Sequence, residues 1–204
     1  MSISRRLDAV VFDIDGVLVE VRFPTVLRET LGISSVDAAE FFDGPFRRCL
    51  VGAADISQVI PPFLEKWRWP GSFQEFLDFW FHEESHVNQP LLAAVDELRS
   101  HGLKCYLAST QEHHRAAFLE QLLGVGTRFE QAFFSCRLEC RKPDPAFFLA
   151  ASKAIGLPSH RILLLDDDPA NVESAASVGW RAAQYRAGDN INGLLHVHGL
   201  SIEC

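Results

Sequence analysis

Apolar and polar positions follow two rhythms along this chain, and the change falls near Pro90. Ahead of it, one short uncharged run, Ala9-Val10-Val11-Phe12, reads as a buried strand with β-branched residues and a Gly just beyond it. The pattern then turns helical and aromatic-rich. Residues 23–31 are amphipathic, and Ser34 with Asp37 forms a capping box opening a helix through residue 42. Pro45 suits the first turn of a helix reaching residue 51. Residues 56–67 are apolar and helical in pattern, and Pro61-Pro62 must break or offset them. Ser72 and Glu75 form a second capping box, whose helix runs to about residue 84. No clear strand stands between residues 19 and 87.

Past Pro90 the pattern alternates regularly. A helix over 91–101 stops at Gly102, and a strand follows over 104–108. A helix over 112–123 stops at Gly124, and Phe133-Phe134 is a short strand. Asp144 as N-cap and Pro145 as first helical residue open a helix ending at Gly156. A strand over 162–165, a helix over 170–178 stopped by Gly179 and a candidate strand over 181–185 complete the series. Strands alternating with helices imply an α/β fold with a parallel sheet. The first strand stands apart from that series, so residues 19–87 read as a helical insertion.

Polar clusters sit where strands end. Asp13 and Asp15 follow the first strand, Ser109-Thr110 the second, and Asp166-Asp167-Asp168 the strand over 162–165; Lys142-Pro143-Asp144-Pro145 opens a helix. In a parallel sheet the carboxyl ends of strands share one edge, where ligands bind. The clusters should therefore converge. Carboxylates from the first and last make an oxygen site suited to Mg²⁺. A hydroxyl and an ammonium complete a place for a phosphoryl group. Each cluster also has a plainer reading: Asp13-Ile14-Asp15-Gly16 as a solvated turn, Ser109-Thr110 and the three aspartates as helix caps, Lys142 as a surface lysine. Four together outweigh those readings.

Composition narrows the class further. The chain has 204 residues, 48% apolar and 23% charged, which fits a globular protein with one good core or a core plus an inserted unit. Net charge is −8, against nucleic acid or an anionic membrane as partner. The apolar runs near residues 9 and 162 end in aspartates and do not approach a membrane span. Arg5 and Arg6 are followed by Asp8 and Asp13, a poor signal peptide. Cys49, Cys105, Cys136, Cys140 and Cys204 show no CxxC pairing and read as reduced thiols of a cytoplasmic protein. His82-Glu83-Glu84-Ser85-His86 matches the HExxH zinc pattern, but Asn88 and Pro90 end the helix and no third ligand follows. It reads as the exposed, charged end of a helix; His113 and His114 read as solvated, and Trp67, Trp69 and Trp80 as core of the helical block.

The motifs DIDGV, LAST, RKPDP and LLLDDDPANV, in that order, resemble those of the haloacid dehalogenase superfamily, phosphatase branch, with a helical cap after the first motif. The resemblance spans nearly the whole chain. It implies a Rossmann-like α/β core over 1–18 and 88–204 and a cap over 19–87. Asp13 would be the nucleophile, forming an aspartyl-phosphate. Asp15 would be general acid to the leaving alcohol and then general base to water. Ser109 or Thr110 would contact the phosphoryl oxygens, and Lys142 would offset charge on Asp13 and the phosphate. Asp13, the Asp15 backbone carbonyl, Asp167 and Asp166 would surround Mg²⁺. The chain departs from the usual pattern in Thr110 where Asn is frequent, Asp168 where Ser is, and Glu139 where Gly is. The expected activity is hydrolysis of a small phosphorylated metabolite. A phosphomutase or a dehalogenase of the same fold is the alternative, as is a non-enzymatic phosphate-binding scaffold. Asp15 disfavours the dehalogenase, since a halide leaves without a proton. Receiver domains carry their acid pair before the acceptor Asp, the reverse of the order here. Substrate identity and oligomeric state are not legible.

Overall fold

The computed structural model of the protein describes residues 7–198; Arg5, Arg6 and Cys204 lie outside them. Strand β1 (Ala9–Phe12) is wholly buried and leads into a helical block. That block comprises α1 (Phe23–Leu31), α2 (Ser35–Phe42), α3 (Phe46–Cys49), α4 (Ile56–Val59), α5 (Pro61–Lys66) and α6 (Phe73–Glu83). Then come α7 (Gln89–Ser100), β2 (Lys104–Ser109), α8 (His113–Leu123), β3 (Ala132–Phe134) and α9 (Ser135–Leu138). The chain continues through α10 (Pro145–Ile155), β4 (Ile162–Asp166), α11 (Pro169–Ser177), β5 (Arg181–Gln184) and α12 (Ile191–Val197).

The five strands form one parallel sheet in the order β3-β2-β1-β4-β5. The period of two along β1 sends Val10 and Phe12 to one face and Ala9 and Val11 to the other. The first pair packs with Leu92 and Val95 of α7 and Leu119 of α8; the second packs with Phe147, Phe148 and Ala151 of α10 and with Trp180. Burial on both faces explains why these strands read as unbroken apolar runs. Phe12 pairs in register with Leu107 of β2 and Leu165 of β4. Asp13, Ser109 and Asp166 therefore leave the sheet side by side at its carboxyl edge. The chain turns from β1 to one flank and later to the other, so Asp13 stands where the strand order reverses, the crevice in which open α/β sheets bind ligands.

The helical block has its own aromatic core around Phe23, Phe41, Phe76 and Trp80. Phe23 stacks on Trp80 with ring centroids 4.8 Å apart. Trp67 and Trp80 are buried in it, and Trp69 packs against its side. The block leaves and returns through two adjacent segments, where Glu20 N donates to His86 O (3.0 Å) and Asn88 N to Leu18 O (2.8 Å).

Both capping residues of the block form as the sequence predicts: Ser34 accepts from Asp37 N, and Ser72 with Glu75 makes the reciprocal box. The 56–67 helix divides at Ile60, where the proline pair starts a new helix. The helix expected over 45–51 is only α3, Phe46–Cys49, because Leu50 and Gly52 already turn the chain out. Helices α9 and α12 are too short to show a period in sequence.

Candidate active site

Asp13 is held at the sheet edge by its own backbone, whose N–H donates to Leu165 O at 2.9 Å. Lys142, in the loop before α10, is buried and bridges two carboxylates: Nζ lies 2.9 Å from Asp13 Oδ1 and 2.6 Å from Asp166 Oδ2. Asp166 is fully buried, and its Oδ1 accepts from Asp168 N (3.0 Å) and Asn171 Nδ2 (2.9 Å). Carboxylate oxygens of Asp13, Asp166 and Asp167 all lie within 4.8 Å of one another. Among the described residues this is the one group of His, Cys, Asp and Glu side chains so spaced.

Three carboxylates around one ammonium leave a negative excess. Burial pushes the Asp13 carboxyl up to about 7; Lys142 opposes this, while Asp166 and Asp15 add to it. Asp167 is raised by burial and then by Asp166. For Lys142, burial opposes the charge, yet Asp13 and Asp166 hold its ammonium above the ordinary value. Such a site favours an added cation. Two further features fit a hard divalent ion bound through oxygen. Asn171 Oδ1 is a buried acceptor without a donor, and Asn171 lines the cavity. Gly16, at φ 81°, lets Asp167 close in: a Cβ there would stand 2.4 Å from Asp167 Oδ2.

These groups border a cavity of about 360 Å³ lined by Asp13, Asp15, Ser109, Thr110, Lys142 and Asp167, among others. Ser109 is buried beside Asp13, and Thr110 is half-buried. Neither caps the following helix. That cap is Glu112, whose carboxylate accepts from His114 N and Arg115 N. The two hydroxyl residues therefore remain free of the capping duty that their position suggests.

For Asp15 the sequence expectation puts only the backbone carbonyl at the metal, and the side chain stands apart from the three acids. Oδ2 accepts from Gln111 Nε2 at 2.7 Å and Oδ1 from Arg115 Nη2 at 3.1 Å. As a ligand set, the side chains are thus Asp13, Asp166 and Asp167, with Asp166 standing behind Lys142 and outside the cavity lining. Asp168 serves as N-cap of α11. Glu139 adopts φ 57°, the left-handed conformation that favours the Gly it replaces.

The HExxH match assembles nothing. His82 is exposed, and His86 lies beyond α6 with its Nε2 3.1 Å from Arg22 Nη1. The expectation that this stretch is wholly exposed is corrected at Glu84, which is buried and paired with Arg115 at 3.1 Å. His114 is likewise not simply solvated: its Nε2 lies 3.3 Å from Asp55 Oδ1, and its ring meets Phe73 edge-on.

Gln111, Arg115, Glu84 and Asn171 were not singled out by the sequence reading. Arg115 had a visible signal. It falls on the buried stripe of α8 with Ala116, Leu119 and Leu123, where an arginine must have partners. Gln111 had none beyond its place two residues after Ser109.

A parallel sheet with an acid-lysine cluster at the strand-order reversal defines an α/β protein with a polar site in its switch-point crevice. The match to the haloacid dehalogenase-like hydrolase family model runs over residues 7–179, and the chain belongs to that family. It is 28% identical over 196 residues to N-acetylmuramic acid 6-phosphate phosphatase of Pseudomonas aeruginosa, covering 90% of this chain and 83% of that protein. It is 28% identical over 187 residues to Protein SUPPRESSOR OF QUENCHING 1, chloroplastic, of Arabidopsis thaliana; the chain spans only 17% of that protein's length. A HAD family enzyme of Bacteroides thetaiotaomicron, solved with magnesium and inorganic phosphate, shares the fold with a TM-score of 0.78 at 19% identity, covering 92% of this chain and 98% of that one. The protein is a hydrolase of this superfamily with phosphatase relatives. No helix among the described residues is long and apolar enough to cross a membrane.

Proposed function

We infer that the protein is a Mg²⁺-dependent phosphatase of a small phosphorylated metabolite, acting in the cytoplasm through an aspartyl-phosphate. One observation carries the reading: Asp13, Lys142 and Asp167 border one polar cavity while Asp15 is held separately on its rim by Gln111 and Arg115. The sugar phosphate in the name of the Pseudomonas relative supports phosphomonoester chemistry. The Mg²⁺ would be held by Asp13, Asp167 and the Asp15 carbonyl, with Asp166 behind; bound there, it neutralises the phosphoryl oxygens.

Asp13 attacks phosphorus, forming the Asp13–O–P bond as the bond from phosphorus to the leaving oxygen breaks. Asp15 gives that oxygen a proton. Lys142 keeps the Asp13 carboxylate and the phosphoryl group side by side. Asp15, now a carboxylate stabilised by Gln111 and Arg115, takes a proton from water as water attacks phosphorus and releases Asp13. Ser109 or Thr110 donates to the phosphoryl oxygens. The helical segment over 19–87 acts as a cap, closing the edge against bulk water. The test is phosphate release from 4-nitrophenyl phosphate with Mg²⁺, lost in chelator. Full activity in chelator would sink the reading.

A further inference from the structure

A second cavity, about 490 Å³, opens beside the first within the helical block. The two share Asp15, Val21 and Thr110 in their linings. Its volume lies within the usual range of small-molecule sites. Phe23, Leu27, Ile33, Ala39, Phe42 and Trp80 supply its apolar surface. Val21 stands at the junction and is half-exposed, a rare state here for a large apolar side chain.

We propose that this cavity takes the leaving group, and that the substrate is the phosphate monoester of an apolar alcohol, alkyl or aromatic, not a sugar phosphate. The proposal rests on the phosphatase reading and names its substrate class. Asp15 is the hinge of the argument. It borders both cavities, so a phosphoryl group beside Asp13 would place the leaving oxygen next to Asp15 and the carbon skeleton beyond it.

Several of the polar groups around this second cavity are already committed. Glu84 Oε1 accepts from Phe23 N at 3.2 Å. Its Oε2 accepts from Trp80 Nε1 at 2.9 Å and pairs with Arg115 Nη2 at 3.1 Å. Gln111 Nε2 is spent on Asp15 and Ser109. Arg115 Nε and Nη1 are buried without hydrogen-bond partners. A sugar would bring several hydroxyls into this space and leave most of them unpaired, which is costly. An alkyl chain or ring loses no hydrogen bond there and gains by leaving water. The exposed Thr25, Arg28 and Ser35 supply polar groups on the solvent side.

The experiment compares chain length with turnover and without it. With Mg²⁺, kcat/KM is measured for butyl, hexyl and octyl phosphate, 1-naphthyl phosphate, glucose 6-phosphate and 4-nitrophenyl phosphate. Each buried methylene is worth a factor of about four at most. Octyl phosphate should therefore exceed butyl phosphate by at least about tenfold, and glucose 6-phosphate by more. In parallel, titration calorimetry with butylphosphonate and octylphosphonate reads the same preference without hydrolysis. In Ala39→Phe, which fills the cavity from α2, the octyl-to-butyl ratio should fall toward one. If that variant does not fold, the wild-type series decides alone. A flat alkyl series, or preference for glucose 6-phosphate, overturns this inference and leaves the phosphatase reading standing. No hydrolysis of any ester, 4-nitrophenyl phosphate included, overturns the phosphatase reading. The phosphonate titration then still decides what the cavity holds: equal binding of the two phosphonates counts against it.

Discussion

The two cavities that meet at Asp15 are built in opposite ways. The smaller takes its side chains from strand ends and the loops just past them, and its polar groups are held by short, buried contacts such as Lys142 Nζ to Asp166 at 2.6 Å. The larger is assembled from helices, and its surface is mostly aromatic and aliphatic. In the first, position follows from sheet register: once Phe12 pairs with Leu107 and Leu165, the acids and the hydroxyl must converge. In the second, position follows from packing, and nothing in the backbone pattern fixes which side chain lines it. On the proposed reading, chemistry belongs to the cavity at the sheet edge and selection to the helical one, whose residues can change without disturbing the sheet.

The largest effect expected from breaking this division is at Asp13. Asp13→Asn should lower Mg²⁺-dependent phosphate release by at least about 10⁴-fold, because no leaving group replaces a lost nucleophile. Removing Mg²⁺ by chelation should be comparably severe. Neither change should alter the phosphonate chain-length preference, which belongs to the other cavity. Residual turnover within tenfold of wild type would refute the nucleophile's assignment.

Next in size is the tie between the halves. Arg115 and Glu84 are both nearly sealed from solvent, and Arg115 also holds Asp15. Arg115→Met leaves Glu84 buried without its cation, at a cost of about 3 kcal/mol in urea unfolding. Adding Glu84→Gln should recover part of that loss, since the uncompensated charge is then gone. A double variant no more stable than Arg115→Met would show that the cost lies in packing alone.

This tie also marks where the sequence ceases to be readable. The parallel sheet, the capping residues of α2 and α6, and the four polar clusters follow from local pattern: period, punctuation and the step from apolar run to acid. Arg115–Glu84 and Gln111–Asp15 join residues far apart in the chain, on elements whose contact no local pattern encodes. The partners of the Asp15 side chain are illegible for the same reason. Its neighbour in sequence is the other acid of the first motif, Asp13, whereas its partners in space are Gln111 and Arg115. At Ser109 and Thr110 the plainer reading as helix caps falls away, because the cap is Glu112.

A smaller effect separates the halves by pH. Burial holds the Asp13 carboxyl up at about 7, against 3.8 ordinarily. Between those values the Asp13 carboxyl is more fully protonated in the folded, metal-free protein than in the unfolded chain. Stability is therefore greatest below about pH 4 as far as this group is concerned, and is lost as pH rises toward 7. The slope is at most about 1.4 kcal/mol per pH unit for one group. Urea midpoints in chelator at pH 5 and 7 should show this fall, and Asp13→Asn should flatten it. A wild-type protein in chelator that gains stability over the same interval would contradict the raised carboxyl.

The smallest effect expected is none, at the histidines that imitate a zinc motif. His82 is exposed on the last turn of α6, and His86 lies past its end against Arg22. Neither lines either of the two cavities. A His82→Ala, His86→Ala double variant should keep Mg²⁺-supported turnover within about twofold, since surface changes away from such sites shift energies by about half a kcal/mol. It should also keep the octyl-to-butyl ratio. Loss of activity restored by Zn²⁺ would move the chemistry out of the sheet half and break the comparison at its base. Loss of the chain-length preference alone would instead mean that the far end of α6 helps shape the apolar cavity. The buried Trp80 and Glu84 flank these histidines and would be the route for that influence.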